Sequence, residues 1–168
     1  VVIQAAMAQL TAGGIIQFAA GTFDNCDSIV VPYDNITWRG SGRNKTILKL
    51  KASFDAGKKV SDGFIQVIEK DYFTILDMEI DGNGANQSKI DNGASAGLAI
   101  ICGVETEDTR YTTIDNCYIH DFTETGIFSS GCDFLTVKNS HIKDNYWNGI
   151  TFGWGTDFNV VDNCLVEG

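Results

Sequence analysis

The second half of this chain repeats itself at intervals of 23 and 24 residues. The segments 111–120, 134–143 and 158–167 align without gaps. Three columns of equivalent residues result: Ile114, Val137 and Val161; Ile119, Ile142 and Val166; and Asn116, Asn139 and Asn163. A repeat of this length indicates a solenoid, in which each unit buries its apolar face only by stacking on its neighbours.

The residue types in the repeat favour strands over helices. Leucine-rich and helical repeats need Leu-rich or Ala-rich helical faces, whereas these segments are β-branched and aromatic and are broken by Gly and Asn. We therefore predict an all-β fold, a right-handed parallel β-helix with rungs about 4.8 Å apart. An Asn column fits a bend, because stacked carboxamides hydrogen-bond from coil to coil and tolerate turn geometry.

The first half of the chain follows the same pattern with longer intervals. Segment 72–81 fits the template, with Ile75 and Ile80 inward and Asp77 in the Asn column, and Trp38 takes the place of Ile75 one coil earlier. Matching residues are here 37 and 39 apart. Because these intervals are longer than one regular coil, we expect loops around 51–62, 82–96 and 105–110. Binding and catalysis tend to lie in such long insertions on one side of a regular scaffold.

A single domain over 1–168 is expected, with regular coils over about 97–168. Its first part, 1–12, is predicted to be a helix with Ile3, Met7 and Leu10 on one face. Such a helix covers the open end of a β-helix. The segment begins without an initiator Met or a signal peptide, so we expect a piece of a longer β-helix.

The charge is acidic and uneven. The chain has 22 Asp and Glu against 12 Lys and Arg, and residues 91–168 hold 12 of the acids and 3 of the bases. Nucleic acid is therefore not an expected partner. Membrane insertion is not expected either, because no apolar run reaches the roughly 20 residues of a membrane helix. The bases Lys49, Lys51, Lys58, Lys59 and Lys89 suit either an anionic polysaccharide or a solvated surface.

Five cysteines leave at least one unpaired. Cys117 and Cys164 share a column two coils apart, about 9 to 10 Å, which is too far for a disulfide. Cys102 and Cys132 have similar offsets in adjacent coils and are the pair expected to form a bridge. No Cys-x-x-Cys or His/Cys cluster suggests zinc.

Four ionisable residues end the inward Ile strands in one column: Asp81, His120, Lys143 and Glu167. Two interpretations remain open. Opposite charges stacked in a sheet stabilise it by about 0.2–1 kcal/mol per pair. Alternatively, the column lines a sugar groove in which His120 is the base and Lys143 the cation.

Neighbouring residues suggest ligands for the same groove. Asp121 and Asp144 follow the charged column and are predicted to hold Ca²⁺ through oxygen ligands. Tyr146, Trp147 and Trp154 either stack on sugar rings or pack at turns.

Several motifs carry a family resemblance. They are IQAA at 3–6, GG at 13–14, AGTF at 20–23 and WRGSGRNKTILKL at 38–50. Together they resemble the opening of the pectate-lyase-like β-helix superfamily. The following IDGNGANQSKIDNG, at 80–93, is most similar to the catalytic modules of mannuronan C5-epimerases. The similarity runs over nearly the whole chain, which corresponds to under half of such a module.

The resemblance implies chemistry on a uronic acid glycan. That reaction abstracts the C5 proton and needs a base, an acid on the opposite face and a cation at the carboxylate. Lys89 and Asp91 match the family's Lys-x-Asp pair beside the substrate groove. The family's Tyr-Gly-Phe-Asp-Pro-His motif is replaced by TGIFSS at 125–130.

We therefore expect a secreted or cell-surface protein that binds or modifies an acidic polysaccharide, as an epimerase or a lyase. Lys89, His120 and Lys143 are the candidate catalytic residues, and Asp81 and Asp91 join the three aromatic residues in substrate binding. The alternative is a non-catalytic β-helix of a surface, fibre or phage tailspike-like protein. Uncapped coils would in either case favour end-to-end or homo-oligomeric packing.

Overall fold

The computed structural model describes residues 2–54, 63–87, 98–101 and 111–168, and these form a parallel β-helix. Three strands make each complete coil. In chain order the elements are α1 (Val2–Met7), β1 (Gly14–Gln17), β2 (Gly21–Cys26), β3 (Ile29–Val30), β4 (Ile36–Arg39), β5 (Thr46–Leu50), β6 (Ile65–Ile68), β7 (Phe73–Leu76), β8 (Glu79–Asp81), a 3₁₀ turn (Gly84–Asn86), β9 (Leu98–Ile101), β10 (Thr112–Asp115), β11 (Tyr118–His120), β12 (Thr125–Ser130), β13 (Leu135–Lys138), β14 (His141–Lys143), β15 (Asn148–Phe152), β16 (Val160–Asp162) and β17 (Leu165–Glu167).

The strands stack into three parallel sheets that run along the solenoid. Sheet A has the order β1-β4-β7-β10-β13-β16, sheet B has β2-β5-β8-β11-β14-β17, and sheet C has β3-β6-β9-β12-β15. Every pairing joins each strand to the strand three places later in the chain. The prediction of an all-β parallel β-helix is confirmed.

The inward residues of the sheets form the core. In sheet A the column Trp38, Ile75, Ile114 and Val137 is fully buried, and in sheet B the column Leu48, Ile80, Ile119 and Ile142 is fully buried as well. Ile29, Ile65 and Ile127 complete it from sheet C. The register therefore confirms the apolar columns predicted from the repeat, although Val161 and Val166, which continue them, are about half exposed.

The corner between sheets A and B is made by the predicted Asn column. Asp77, Asn116, Asn139 and Asn163 all have left-handed backbone angles, with φ between 49° and 59°. Asn116 Nδ2 donates to Asp77 Oδ1 at 2.7 Å, and Asn163 Nδ2 donates to Asn139 Oδ1 at 2.8 Å. Gly40 occupies this column in the coil before Asp77, where a Cβ would clash with the Asp77 carbonyl oxygen.

The N-terminal helix α1 is shorter than the predicted segment 1–12, and turns follow it over residues 8–12. Met7 is fully buried, and Ile3 and Leu10 pack against the core beside it. The apolar face predicted for this helix thus covers the first coil. No helix in the described ranges is long and apolar enough to cross a membrane.

The described cysteines agree with the column argument. Cys117 and Cys164 are free, and so is Cys26. Cys132 is disulfide-bonded. Its predicted partner, Cys102, lies outside the described residues.

Candidate functional site

The outer face of sheet B carries a continuous row of ionisable side chains. Each strand turns one residue inward and its two neighbours outward, so residues two apart share the outer face. The column at the ends of the strands is Lys49, Asp81, His120, Lys143 and Glu167, each in register with the next. The structure therefore brings the four predicted residues together and adds Lys49. We call these five residues the sheet B ladder.

Both lysines of the sheet B ladder are paired with carboxylates. Lys49 Nζ lies 2.7 Å from Asp81 Oδ2, and this hydrogen bond raises the pKa of Lys49. Lys143 Nζ lies 3.8 Å from Asp144 Oδ2 and 3.4 Å from Glu167 Oε1, and the first of these charges is the largest cause of its raised pKa. Both ammonium groups are therefore charged at neutral pH.

His120 is held between two carboxylates. Only 8% of its surface is exposed, its Nδ1 is 2.8 Å from Asp121 Oδ2, and its Nε2 is 3.3 Å from Glu79 Oε1. A neutral imidazole has one N–H donor, whereas the imidazolium has two. Both contacts are therefore hydrogen bonds only in the charged ring, which would act as a proton donor. To act as a base, the ring must first lose one proton and, with it, one of these two hydrogen bonds.

A second outward column lies beside His120 and contains two rings in a stack. The Tyr118 ring lies between His120, at 4.1 Å and 19°, and His141, at 5.0 Å and 27°. His141 Nε2 is 3.0 Å from Glu167 Oε1, and this bond lowers the pKa of Glu167. Burial raises the pKa of Tyr118, so its phenol keeps its proton. Tyr118 thus packs directly against the His120 ring, and His141 packs against Tyr118.

This second column was not predicted to be part of the site. It contains Glu79, Tyr118 and His141, each two residues before a member of the sheet B ladder. Side chains two residues apart in a strand share a face, and this period could have predicted the second column.

Three side chains of this face are close enough to share a metal ion. One ligand atom each from Asp81, His120 and Asp121 lies within 4.8 Å of the others. The donors are two carboxylates and an imidazole, a set that suits divalent transition metals. Asp144, the other predicted calcium ligand, does not belong to this group, and its carboxylate faces Lys143 instead.

The three aromatic residues that were predicted to contact sugars flank a strand of sheet C. Tyr146 and Trp147 directly precede β15 of sheet C, and Trp154 follows it. They are 63%, 66% and 93% exposed. All three lie on segments that flank β15, outside the strands of sheet B. Lys89 and Asp91 lie outside the described residues.

A column of stacked aromatic rings was also not predicted. Tyr72, Tyr111, Phe134 and Phe158 stack at one corner with ring centroids 5.0 Å apart at each step. Their positions were visible in the sequence as residues that begin the repeat segments. Tyr72, Phe134 and Phe158 have left-handed φ angles of 54° to 57°, which are unusual for bulky residues. The turn propensities of these residues therefore did not indicate that the chain bends here.

Comparisons with known proteins agree on the architecture. Residues 13–168 match the family described as the right handed beta helix region. The A-modules of the Azotobacter vinelandii mannuronan C-5 epimerases AlgE4 and AlgE6 are similar in structure, with TM-scores of 0.76 and 0.70 and identities of 24% and 20%. Each match covers 96% of this chain, and 45% and 50% of the respective epimerase chain. The chain thus spans about half the length of these relatives.

A third solved structure has a similar extent. It is a putative glycosyl hydrolase from Parabacteroides merdae, with a TM-score of 0.62 and 16% identity, and the match covers 97% of this chain and 86% of that one. No curated protein sequence matches the chain. At these identities, the structural similarities show the fold.

Proposed function

This chain belongs to the right-handed β-helix family, and we propose that it binds and modifies an acidic polysaccharide along the sheet B ladder. The observation that carries the proposal is the placement of His120 and Lys143 on neighbouring rungs of one outward column. A proton-transfer group and a fixed cation then lie about 4.8 Å apart on a long, regular face. Such a face can follow an extended glycan.

The similar structures support the choice of substrate class. Two of them are mannuronan C-5 epimerases by name, and a third is described as a glycosyl hydrolase. Mannuronan is a polymer of uronic acid, so a carboxylate on each sugar would need a cation beside it. In the proposed reaction Lys143 neutralises that carboxylate and His120 removes the adjacent C5 proton as the base, while for epimerisation water supplies the proton that C5 regains from the opposite face.

The remaining predicted residues take supporting roles in this proposal. Lys89 completes the catalytic set, and Asp81 and Asp91 contact the glycan. Tyr146, Trp147 and Trp154 offer exposed rings for sugars that extend onto sheet C. Asp121 and Asp144 are the proposed calcium ligands, and we place the protein outside the cell, where acidic polysaccharides occur.

The test is a proton NMR assay on alginate, pectate and hyaluronan, each incubated with the protein and calcium. It follows C5 epimerisation and the formation of unsaturated ends together. We expect turnover on one of these polymers and its loss in His120→Ala and in Lys143→Met. Lys138→Met is the matched control, because Lys138 pairs with Asp115 on sheet A, away from the sheet B ladder. Equal losses in all three variants would overturn the assignment of the site.

A second candidate function is a non-catalytic shaft of a surface or fibre protein. It is favoured by the ion pairs of the sheet B ladder, in which Lys49, His120 and Lys143 each face a carboxylate of the same chain. In that case Lys49→Met and Lys143→Met lower the melting temperature, while no uronan is bound or altered. Turnover on any of the three polymers would exclude this alternative.

A further inference from the structure

We propose that Asp81, His120 and Asp121 form a binding site for one divalent transition-metal ion, with Zn²⁺ as the expected ion. The site shares Asp81 and His120 with the proposed function, in which the His120 ring acts as the base only while no ion is bound to it. Metal binding itself rests only on the geometry of the three side chains.

The ligand atoms are already gathered. One from each residue lies within 4.8 Å of the others. In a tetrahedral zinc site, ligands about 2.1 Å from the ion are about 3.4 Å from one another. His120 Nδ1 and Asp121 Oδ2 are 2.8 Å apart, so small side-chain rotations would accommodate an ion between them.

The backbone holds these residues in place without the ion. Asp81 and His120 are in register on the paired strands β8 and β11, and each is 8% exposed. Asp121 follows His120 with a left-handed φ of 58°, and its N–H donates to the Lys143 carbonyl oxygen at 3.4 Å. Because the backbone at the site is already ordered, metal binding would not have to drive folding of the chain.

Glu79 supplies the outer contact that a metal-binding histidine usually makes. His120 Nδ1 lies 2.8 Å from Asp121 Oδ2, while Nε2 lies 3.3 Å from Glu79 Oε1. A ligating histidine commonly donates its other N–H to a carboxylate, which fixes the tautomer and the ring orientation. Here Nδ1 would bind the ion and Nε2 would donate to Glu79.

A cation already occupies one side of the group. Lys49 Nζ lies 2.7 Å from Asp81 Oδ2, and the Asn83 N–H donates to the other oxygen, Oδ1, at 2.6 Å. The ammonium is held where a metal ion would meet Asp81. A metal ion must therefore displace Lys49, and removal of this lysine should strengthen metal binding.

The nitrogen ligand decides which ion fits. Calcium and magnesium take oxygen ligands, whereas imidazole suits zinc, copper, nickel and iron. An ion bound by His120 is thus of a different class from the calcium predicted for Asp121 and Asp144. The two predictions share Asp121 and differ in whether His120 or Asp144 takes part.

The experiment is a titration of the tag-free, chelator-treated protein with Zn²⁺ by calorimetry and with Co²⁺ by visible absorption. We expect one ion per chain, and weakening by at least about tenfold in His120→Asn and Asp121→Asn. His141→Asn is the matched control, since His141 also faces a carboxylate but lies outside the group. It and Asp144→Asn should bind as tightly as the unmodified chain, and Lys49→Met should bind more tightly.

Three results would overturn the proposal. They are no binding of either ion, equal weakening in His120→Asn and His141→Asn, or loss of binding in Asp144→Asn with His120→Asn unaffected. Circular dichroism checks that each variant is folded. If His120→Asn is unfolded, the imidazole NMR signals of the unmodified chain decide, because Zn²⁺ must shift those of His120 and leave those of His141. No glycan is present, so failure of the proposed function does not alter this result.

Discussion

Cys117 is fully buried, and burial raises the pKa of its thiol to about 12. The thiolate is the reactive form of cysteine. We therefore predict that iodoacetamide at about pH 8 leaves Cys117 unmodified in the native protein. Mass spectrometry of the digested protein should find that Cys26 and Cys164, which are half-buried, are labelled slowly but before Cys117. Labelling of Cys117 as fast as Cys164 would mean that the core between these coils opens readily.

Glu124 is a half-buried carboxyl beside sheet C. Its Oε2 is buried without a hydrogen-bond partner in the described part of the chain, and burial raises the pKa of this group. The folded state therefore holds the proton more tightly than the unfolded state. The stability that this proton linkage contributes is present below the unfolded pKa and is lost as the pH rises through the folded pKa.

The substitution Glu124→Gln removes this titration. We expect the variant to melt at a higher temperature than the unmodified chain at about pH 7, and the difference to vanish below about pH 4, where both side chains are neutral. Calorimetry over this range is the measurement. Glu69→Gln is the control, because Glu69 is exposed. A pH-independent difference would show that packing, and not the charge, is responsible.

At the scale of the element, the Asn corner joins a sheet A strand to a sheet B strand in each coil. Asn139 has a φ of 52°, donates from Nδ2 to Asp115 Oδ1 at 2.8 Å, and accepts from Asn163 at 2.8 Å. Asn139→Ala loses both bonds and keeps a Cβ in the left-handed region, whereas Asn139→Gly loses the bonds but also removes the Cβ that makes this region unfavourable.

We expect Asn139→Ala to lower the free energy of unfolding by about 2 kcal/mol and Asn139→Gly by about 1 kcal/mol. Urea denaturation followed by circular dichroism measures both. Equal effects of the two substitutions would show that the hydrogen bonds matter and that the backbone angle does not.

The same elements show how much the sequence could predict. Sheets A and B were predictable, because Ile114 and Ile119 repeat in columns of similar apolar residues. Sheet C was not, since its inward positions in β12 include Thr125 and Ser129, which break the apolar period. The charged column was predicted in its correct register, but the pairing of His120 with Glu79 and Asp121 depends on side-chain directions that spacing alone does not give.

At the scale of the whole molecule, the net charge of −10 has a predictable effect on stability. Residues 91–168 carry 12 acidic and 3 basic residues, so the coils of this half repel one another. We predict that the melting temperature rises as NaCl is added, and that the rise levels off above about 0.1 M, where the Debye length is about 10 Å. A scanning calorimetry series tests this. A melting temperature that falls with salt would show that ion pairs such as Lys49–Asp81 outweigh the repulsion.

The register of sheet A has a consequence for protein engineering. Thr37, Thr74 and Thr113 pair in one column although 37 and 39 residues separate them, and Thr113 and Thr136 pair in the same way across 23. The length of chain in a coil is thus independent of how the coil stacks. New peptides could be grafted between rungs, and a library of such grafts would vary the periphery while the scaffold stays constant.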